Sequence, residues 1–514
     1  MHPSGLRSAL AFTFALVLAP SARSAVITVD TLSPRPLLYQ CDFRSAVIAA
    51  NTNMPARGCP AGDPHMPDEI RFHPGLAGSI SMAVPVEIAE SLVIDGGDAD
   101  RIVLDTVVVT SLIDEPFELR NIGMNRGLLI GTAGSVLVDG VRFKDISQQM
   151  IHASAISVPN TRLQRLEIRD SEFLNNHGGT GAVVLNTLTE IDEVEVVRSR
   201  FVNNRAHDAD GAGAIVIASM TRNLVVRDSE FIHNHGHSGA IRLVPRSMQA
   251  TVEISGNRFL ANQSLEAGGS GAIHIEGEAG TVHIRECDFL SNHAINSGRA
   301  GAITVSHPAG LVVERSVFDG NRALEAGAIH SWGSGLDIVN SSLTRNLGHL
   351  AGALALTGDS RLDLRFTAVV DNEGGPSISL DPAGVESAVF TANLMRSRSA
   401  PLCDHGWIPL SQGFNLHSGD LTCGLIAPDD RPITSALSSY PAAPGRPWVP
   451  APGHSSIESE IVPEAVCLDT LGADPVDIRG STRPWTAGTP MAGGYCDAGP
   501  IERGEDDGIG IPWR

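Results

Sequence analysis

Residues 224–244 read LVVRDSEFIHNHGHSGAIRLV, and this stretch decides the fold. Leu224 and Val226 alternate with polar residues. A small residue, Ser229, follows, then Phe231 and, three positions on, Asn234. After a variable turn come Gly239, Ala240 and an alternating Ile241-x-Leu243. Working outward, the Phe-x-x-Asn element recurs as Phe173/Asn176, Phe201/Asn204, Phe259/Asn262, Phe289/Asn292 and Phe318/Asn321. It continues in weaker form as Leu343/Asn346 and Val369/Asn372. Successive phenylalanines from Phe173 to Phe318 lie 28, 30, 28, 30 and 29 residues apart. Gly-Ala repeats in step at Gly181, Gly213, Gly271, Gly301, Gly327 and Gly352.

Each period holds short alternating strands separated by Gly, Asn and Asp turns, and no amphipathic helix of ten residues. Helical solenoids and βαβ units are therefore excluded. Propeller blades need about 40–45 residues, more than one period supplies. The remaining architecture is all-β: a right-handed parallel β-helix of roughly eight to eleven coils of about 25–30 residues, three short strands per coil.

The template then explains its residues. One Phe per coil stacks on the next inside the rod. Asn at the corner bonds backbone groups freed by the turn. The small slot before Phe reads Ser171, Ser199, Ser229, Asn257, Cys287, Ser316, Ser341 and Thr367, so Cys287 is a buried packing residue rather than a catalytic thiol. Glu172, Arg200, Glu230, Arg258 and Asp288 alternate in sign from coil to coil. The ladder puts opposite charges about 5 Å apart on the outer face.

Composition narrows the function. The 514 residues are 18% charged and 42% hydrophobic, with 53 Gly, 31 Pro and a net charge of −21. So acidic a chain disfavours nucleic acid and anionic membrane as partners. Ala9 to Ala19 is too short an apolar run to span a bilayer. With Ala22-Arg23-Ser24 it reads as a signal peptide, residues 1–24. No later segment reaches about 18 apolar residues, so the mature chain is expected to be soluble and secreted, the leader sending it to the periplasm, the outer cell surface or the extracellular medium. Six of seven cysteines lie toward the ends. Local pairing gives Cys41–Cys59, Cys403–Cys423 and Cys467–Cys496, although spacing alone leaves connectivity open. The remaining divisions are a cap with first coils at 25–100, the β-helix at 101–399, a disulfide-bearing C-terminal segment at 400–503, and a tail at 504–514.

The repeats resemble those of polymorphic outer-membrane proteins and related bacterial β-helix proteins. Cys41 to Val47, with Ala49-Ala50-Asn51, is similar to the CSLREA motif, although Asp42, Phe43 and Ser45 depart from it. Asp477-Ile478-Arg479-Gly480, Arg483-Pro484, Cys496-Asp497-Ala498-Gly499 and Glu502 resemble the end of a choice-of-anchor Q domain, as does Pro452 to Ile457. The resemblance implies exported right-handed β-helices, often surface-attached and mostly without an assigned reaction.

Two groups of residues are candidates for a site. The strand after Gly-Ala is expected to expose one residue per coil, giving a polar stripe of Arg242, His274, Thr304 and His330 that could face a ligand. A weaker cluster, Asp208, Asp210, His235, His237 and Glu266, falls in neighbouring turns, which collect such residues for conformational reasons. No catalytic residue, metal ligand or cofactor is indicated. The expected function is adhesion or glycan binding without catalysis, the partner being an extracellular polysaccharide or cell-surface glycan. The alternative is a polysaccharide lyase or glycoside hydrolase working in a wall groove, and calcium enters only under that alternative.

Overall fold

A computed structural model describes residues 24–111, 114–147, 154–244, 246, 250–277, 280–296, 298–306, 310–404, 408–442, 445–452, 461–471, 476–483, 495–502 and 511–512. The signal-peptide reading falls almost wholly outside these residues, as do Trp407, most of the 452–457 segment and most of the tail.

Parallel strands stack coil upon coil. Among the described residues, sheet I has 15 strands, from Val26–Val29 to Leu410–Ser411. Sheet II has 15, from Gly78–Ser81 to Arg431–Pro432, and sheet III has 12, from Val86–Ile88 to Ile378–Leu380. A typical coil runs Met220–Arg227 in sheet I, Glu230–Ile232 in sheet II, then Ile241–Leu243 in sheet III. The expected three strands per coil are joined by a fourth. Eight two-residue strands, from His177–Gly178 to Glu373–Gly374, form sheet IV just after the corner Asn. The chain is thus a parallel β-helix whose ladders continue past residue 399.

Like residues lie above like. The rings from Phe143 to Phe318 are fully buried, with centroids 4.5–5.0 Å apart and planes within 10°. Beside them runs an amide ladder. Asn204 donates its backbone N–H and its Nδ2 to Asn234 Oδ1, at 3.1 and 3.0 Å. Asn234 repeats both bonds to Asn262 Oδ1, and its Nδ2 also reaches Phe201 O at 2.8 Å. The small slot has a similar purpose: the N–H of Ser171 reaches Ser199 Oγ, that of Ser199 reaches Ser229 Oγ, and that of Cys287 reaches Ser316 Oγ. A hydroxyl here satisfies a buried backbone donor that the turn would leave bare. Cys287 is fully buried, and burial pushes its thiol up to about 12.

The Gly of Gly-Ala is required by proximity. A Cβ on Gly271 would lie 2.0 Å from Gly301 O and 2.6 Å from His293 N, both backbone atoms. At this corner consecutive coils leave no room for a side chain.

Both ends are closed. Helix α1, Phe43–Thr52, starts on Asp42, whose carboxylate accepts from Ser45 N at 2.6 Å. It lays Phe43, Ala46, Val47, Ala49 and Ala50 over the open core, with Phe43 stacked on Phe72. Asn51 pins the helix to sheet III by donating to Glu87 O and accepting from Ala89 N. The Cys41–Cys59 disulfide ties down the segment. At the other end Leu402, Leu425 and the Cys403–Cys423 disulfide plug the core.

Residues after 432 turn back along the outside of sheet II. Leu437, Ile461 and Val462 cover Ala368, Val370 and Leu394, while Tyr440 and Val449 pack with Val317. Arg446 bonds Asp288 at 2.6 and 2.9 Å. The alternating charge ladder therefore holds from Arg142 through Glu172 and Arg200 to Glu230, whereas Asp288 is turned to this returning strap. The third disulfide, Cys467–Cys496, lies within the strap and joins α2, Glu464–Leu471, to its neighbour. Arg483 is fully buried. It donates to Asp497 O and Gly499 O at 2.8 Å, pairs with Glu502, and lies over the Phe366 ring. The residues that carried the C-terminal resemblance thus dock the strap on the coils.

Candidate functional site

The Arg242, His274, Thr304 and His330 row forms as the repeat requires. The four are consecutive partners in sheet III, followed by Ala355. The expectation that they are exposed is overturned. Thr304 is fully buried, His274 and His330 nearly so, and only part of the Arg242 side chain meets solvent. Two-residue alternation correctly turns them out of the core. The turns that precede Gly-Ala then fold over that outer face. Those turns form their own ladder through Ala212, Ser238, Ser270, Ala300, Ala326 and Ala351.

Acids border the covered row. Glu276 pairs with Arg242 and stands 3.5 Å from His274 Nε2. The hydrogen bond from His274, aided by Arg242, holds its carboxyl down at about 2 despite burial. Asp210 takes the other side of Arg242 at 3.3 Å, and the rings of His237 and His274 are 5.3 Å apart. Glu325 lies 3.2 Å from His330 Nε2. His274 Nδ1, Thr304 Oγ1 and His330 Nδ1 have no hydrogen-bond partner among the described residues. Two imidazole–carboxylate pairs thus flank one hydroxyl, but a polymer could not reach it without displacing the turns.

The second cluster is not gathered. Asp210 and His237 join the Arg242 group. Asp208 instead accepts from Thr180 Oγ1 at 3.0 Å, His235 lies in sheet IV beside Arg205 and Gln263, and Glu266 is exposed in its turn. Among the described residues no three His, Cys, Asp or Glu side chains are placed to hold a metal ion. Glu276 was within reach of sequence reasoning, because His274-x-Glu276 puts both on one strand face. Glu325 belongs to a turn of variable length and carried no such signal.

Burial sets a pH response. His330 is pushed down to about 4 by desolvation, with Arg299 and His274 adding to it, and His237 is pushed down to about 4 by desolvation, then His274 and Arg242. The unfolded chain takes up these protons first, near pH 6.5. Stability is therefore expected to fall as pH drops from about 6.5 to about 4 and to lose nothing further from these groups below that. The urea midpoint measured across this range should fall for the natural chain, and less steeply for His330→Gln. An equal slope in the two proteins would refute the assignment to His330.

An open cleft lies elsewhere. Strands Arg162–Arg169, Glu190–Val197 and Met220–Arg227 are eight residues long, where neighbouring Ser135–Asp139 and Thr251–Ser255 have five. Gln164, Asp192 and Arg222 drop out of the paired ladder, so each strand presents two polar residues in succession. The added residues of these three strands lie along a cleft of about 900 Å³ lined by Asp114, Arg162, Gln164, Arg165, Asp192, Glu193 and Asn223, among others. Its carboxylates face arginines: Glu193 lies 3.1 Å from Arg165, and Asp192 lies 3.2 Å from Arg222. Arg165 also reaches Glu195 and Glu167, at 2.7 and 3.2 Å. Carboxylate oxygens and guanidinium N–H groups set side by side can accept from and donate to sugar hydroxyls.

Among the described residues no helix is long and apolar enough to cross a membrane. No curated protein and no solved structure matches the chain. A family model described as the right handed beta helix region matches residues 126–343, the coils that carry the Phe ladder, the covered polar row and most of the cleft, so that this chain is a parallel β-helix protein similar over those coils to that family.

Proposed function

We propose that the protein is an exported, non-enzymatic β-helix that binds a polysaccharide at the cell surface. The carrying observation is the cleft along the three long strands. It is open, about 900 Å³ in volume, and offers guanidinium, amide and carboxylate groups side by side. Such a set bonds sugar hydroxyls in both directions, donating and accepting. With a chain charge of −21, a glycan with few charges suits it better than a polyanion. Export is supported by three disulfides, which persist in oxidising compartments, and by the leader-like first 24 residues. The similarity of the end segments to CSLREA-type and choice-of-anchor Q proteins supports placement at a surface.

A glycan array probed with the purified chain tests this reading. Arg162→Ala combined with Asn223→Ala should weaken retention about tenfold or more, the loss of one or two well-made hydrogen bonds. His330→Gln, outside the cleft, should leave it unchanged. Retention of no glycan, or no effect of the double variant, would sink the proposal. New reducing ends or unsaturated products from a polysaccharide panel, with or without calcium, would replace it with the lyase or hydrolase reading.

A further inference from the structure

Charges on the coil wall are mostly paired across rungs. Glu172, Arg200 and Glu230 alternate on sheet II, and Arg165 sits among Glu167, Glu193 and Glu195 on sheet I. Sheet IV departs from this pattern. Its outward residues, in direct register, are His177, Arg205, His235, Gln263, His293 and Arg322. With rungs about 4.8 Å apart, the column is about 24 Å long. Its first carboxylate is Glu373, two rungs beyond Arg322. Like charges set directly opposite one another cost stability, so a ladder of Arg and protonated His is favourable only against an anion.

The acids around the column are few and mostly engaged. The six corners, 174–180, 202–208, 232–238, 260–266, 290–296 and 319–325, hold two Arg, six His and four carboxylates. Asp208 accepts from Thr180 Oγ1, Asp319 pairs with Arg345, and Glu325 stands against His330 in the covered row. The fourth, Glu266, is exposed in its turn. Arg205 and Arg322 are exposed, and neither is ion-paired with a described carboxylate. Burial, then Arg205, holds His235 below the usual imidazole value, with His233 and His177 adding to it and the Gln263 bond opposing. Burial, then Arg322, does the same to His293. Both rings therefore gain charge readily only once an anion arrives. His237 belongs to the covered row and takes no part.

Beside the column runs a second track. Leu174, Val202, Ile232, Leu260 and Leu290 are in register at the end of sheet II and half-buried. Cations on one track and apolar side chains on the next match a linear polymer with C–H faces and acidic groups along its edge. The six corners hold no Phe, Tyr or Trp, the platforms on which bases of a nucleic acid stack. We propose that this column docks one chain of an acidic polysaccharide, bound through Arg205, Arg322 and the histidines between them, and bound more tightly as pH falls. The chain charge of −21 opposes a polyanion elsewhere on the wall, and this column is the local exception. The surface is separate from the cleft, which lies on sheet I, and does not depend on it.

Binding of the full mature chain to polygalacturonate, dextran sulfate and uncharged dextran, at pH 7.5 and 5.5, tests this. At least one polyanion should bind, about tenfold more tightly at pH 5.5, where protonation of two histidines is linked to binding. The bond should weaken as salt is added, and dextran should not bind. The two polyanions distinguish carboxylate from sulfate as the preferred group. Arg205→Gln with Arg322→Gln should weaken binding about tenfold or more at both pH values. His235→Gln with His293→Gln should remove most of the pH dependence and keep the binding seen at pH 7.5. Circular dichroism and the thermal midpoint check that each variant is folded. Arg162→Ala with Asn223→Ala, in the cleft, should leave polyanion binding unchanged, so that failure here and failure of the cleft reading are told apart. Binding of neither polyanion, equal binding of dextran, or no effect of the arginine pair would overturn the proposal. So would a pH dependence that survives the histidine pair, or single-stranded DNA bound as tightly as the polysaccharide.

Discussion

Phe231→Ala should lower the stability of the β-helix by about 4 kcal/mol, the range for emptying a fully buried aromatic site. The ring has neighbours on both sides, with centroids 5.0 Å from Phe201 and 4.8 Å from Phe259. Its removal opens a cavity between two side chains that cannot close it, because each is held by its own coil. Phe231→Leu should cost only about 1 kcal/mol, since a branched side chain fills much of the volume. The chain itself makes this exchange: Leu343 is the in-register partner of Phe318 in sheet II and is fully buried. Urea unfolding followed by circular dichroism gives both values. If Phe231→Ala lost less than the Leu variant, the stacked column could not be what holds the coils in register.

Asn234→Ala should cost about as much, by a different route. The side chain accepts from Asn204 N and Asn204 Nδ2, and its own Nδ2 reaches Phe201 O and Asn262 Oδ1. Alanine leaves the Asn204 N–H and one Asn204 amide hydrogen buried without partners, and Phe201 O loses one donor. At about 1–3 kcal/mol for each such group, partly relieved by relaxation, the total is about 4 kcal/mol. Asn203→Ala is the control. Asn203 is next in sequence to a ladder residue, but its side chain is exposed and bonds Asn175 Oδ1 at 2.9 Å in solvent. Its backbone is left-handed, φ 55°, which Asn tolerates better than Ala, so the loss should be about 1 kcal/mol, well below that of Asn234→Ala. Hydrogen exchange adds a local reading: the Asn204 amide should lose protection in Asn234→Ala and keep it in Asn203→Ala.

Much of this could be read from residue order. The period, the Phe column and the corner Asn are one-dimensional signals, because a β-helix places residues one coil apart in direct contact. The small slot was legible as small, but its reason was not. Only the coordinates bring the Ser199 hydroxyl to the Ser171 N–H. The cysteines pair as adjacency suggested, because each of the three joined segments closes on itself. The long strands that build the cleft had a sequence trace, the consecutive polar residues at Gln164–Arg165 and Asp192–Glu193 between apolar neighbours. Their alignment into one wall was visible only in three dimensions.

The repeat determined which side chains point inward, which lie above one another, and which form the row from Arg242 to His330, because strand alternation and coil length are properties of the chain itself. What covers the outward side chains is not such a property. Turns of different length fold over Thr304 and bury it, and the returning strap covers Val317 and captures Asp288 with Arg446. Those contacts join residues far apart in sequence and outside the period, so tertiary packing alone decided that the polar row is closed and the cleft along the long strands is open.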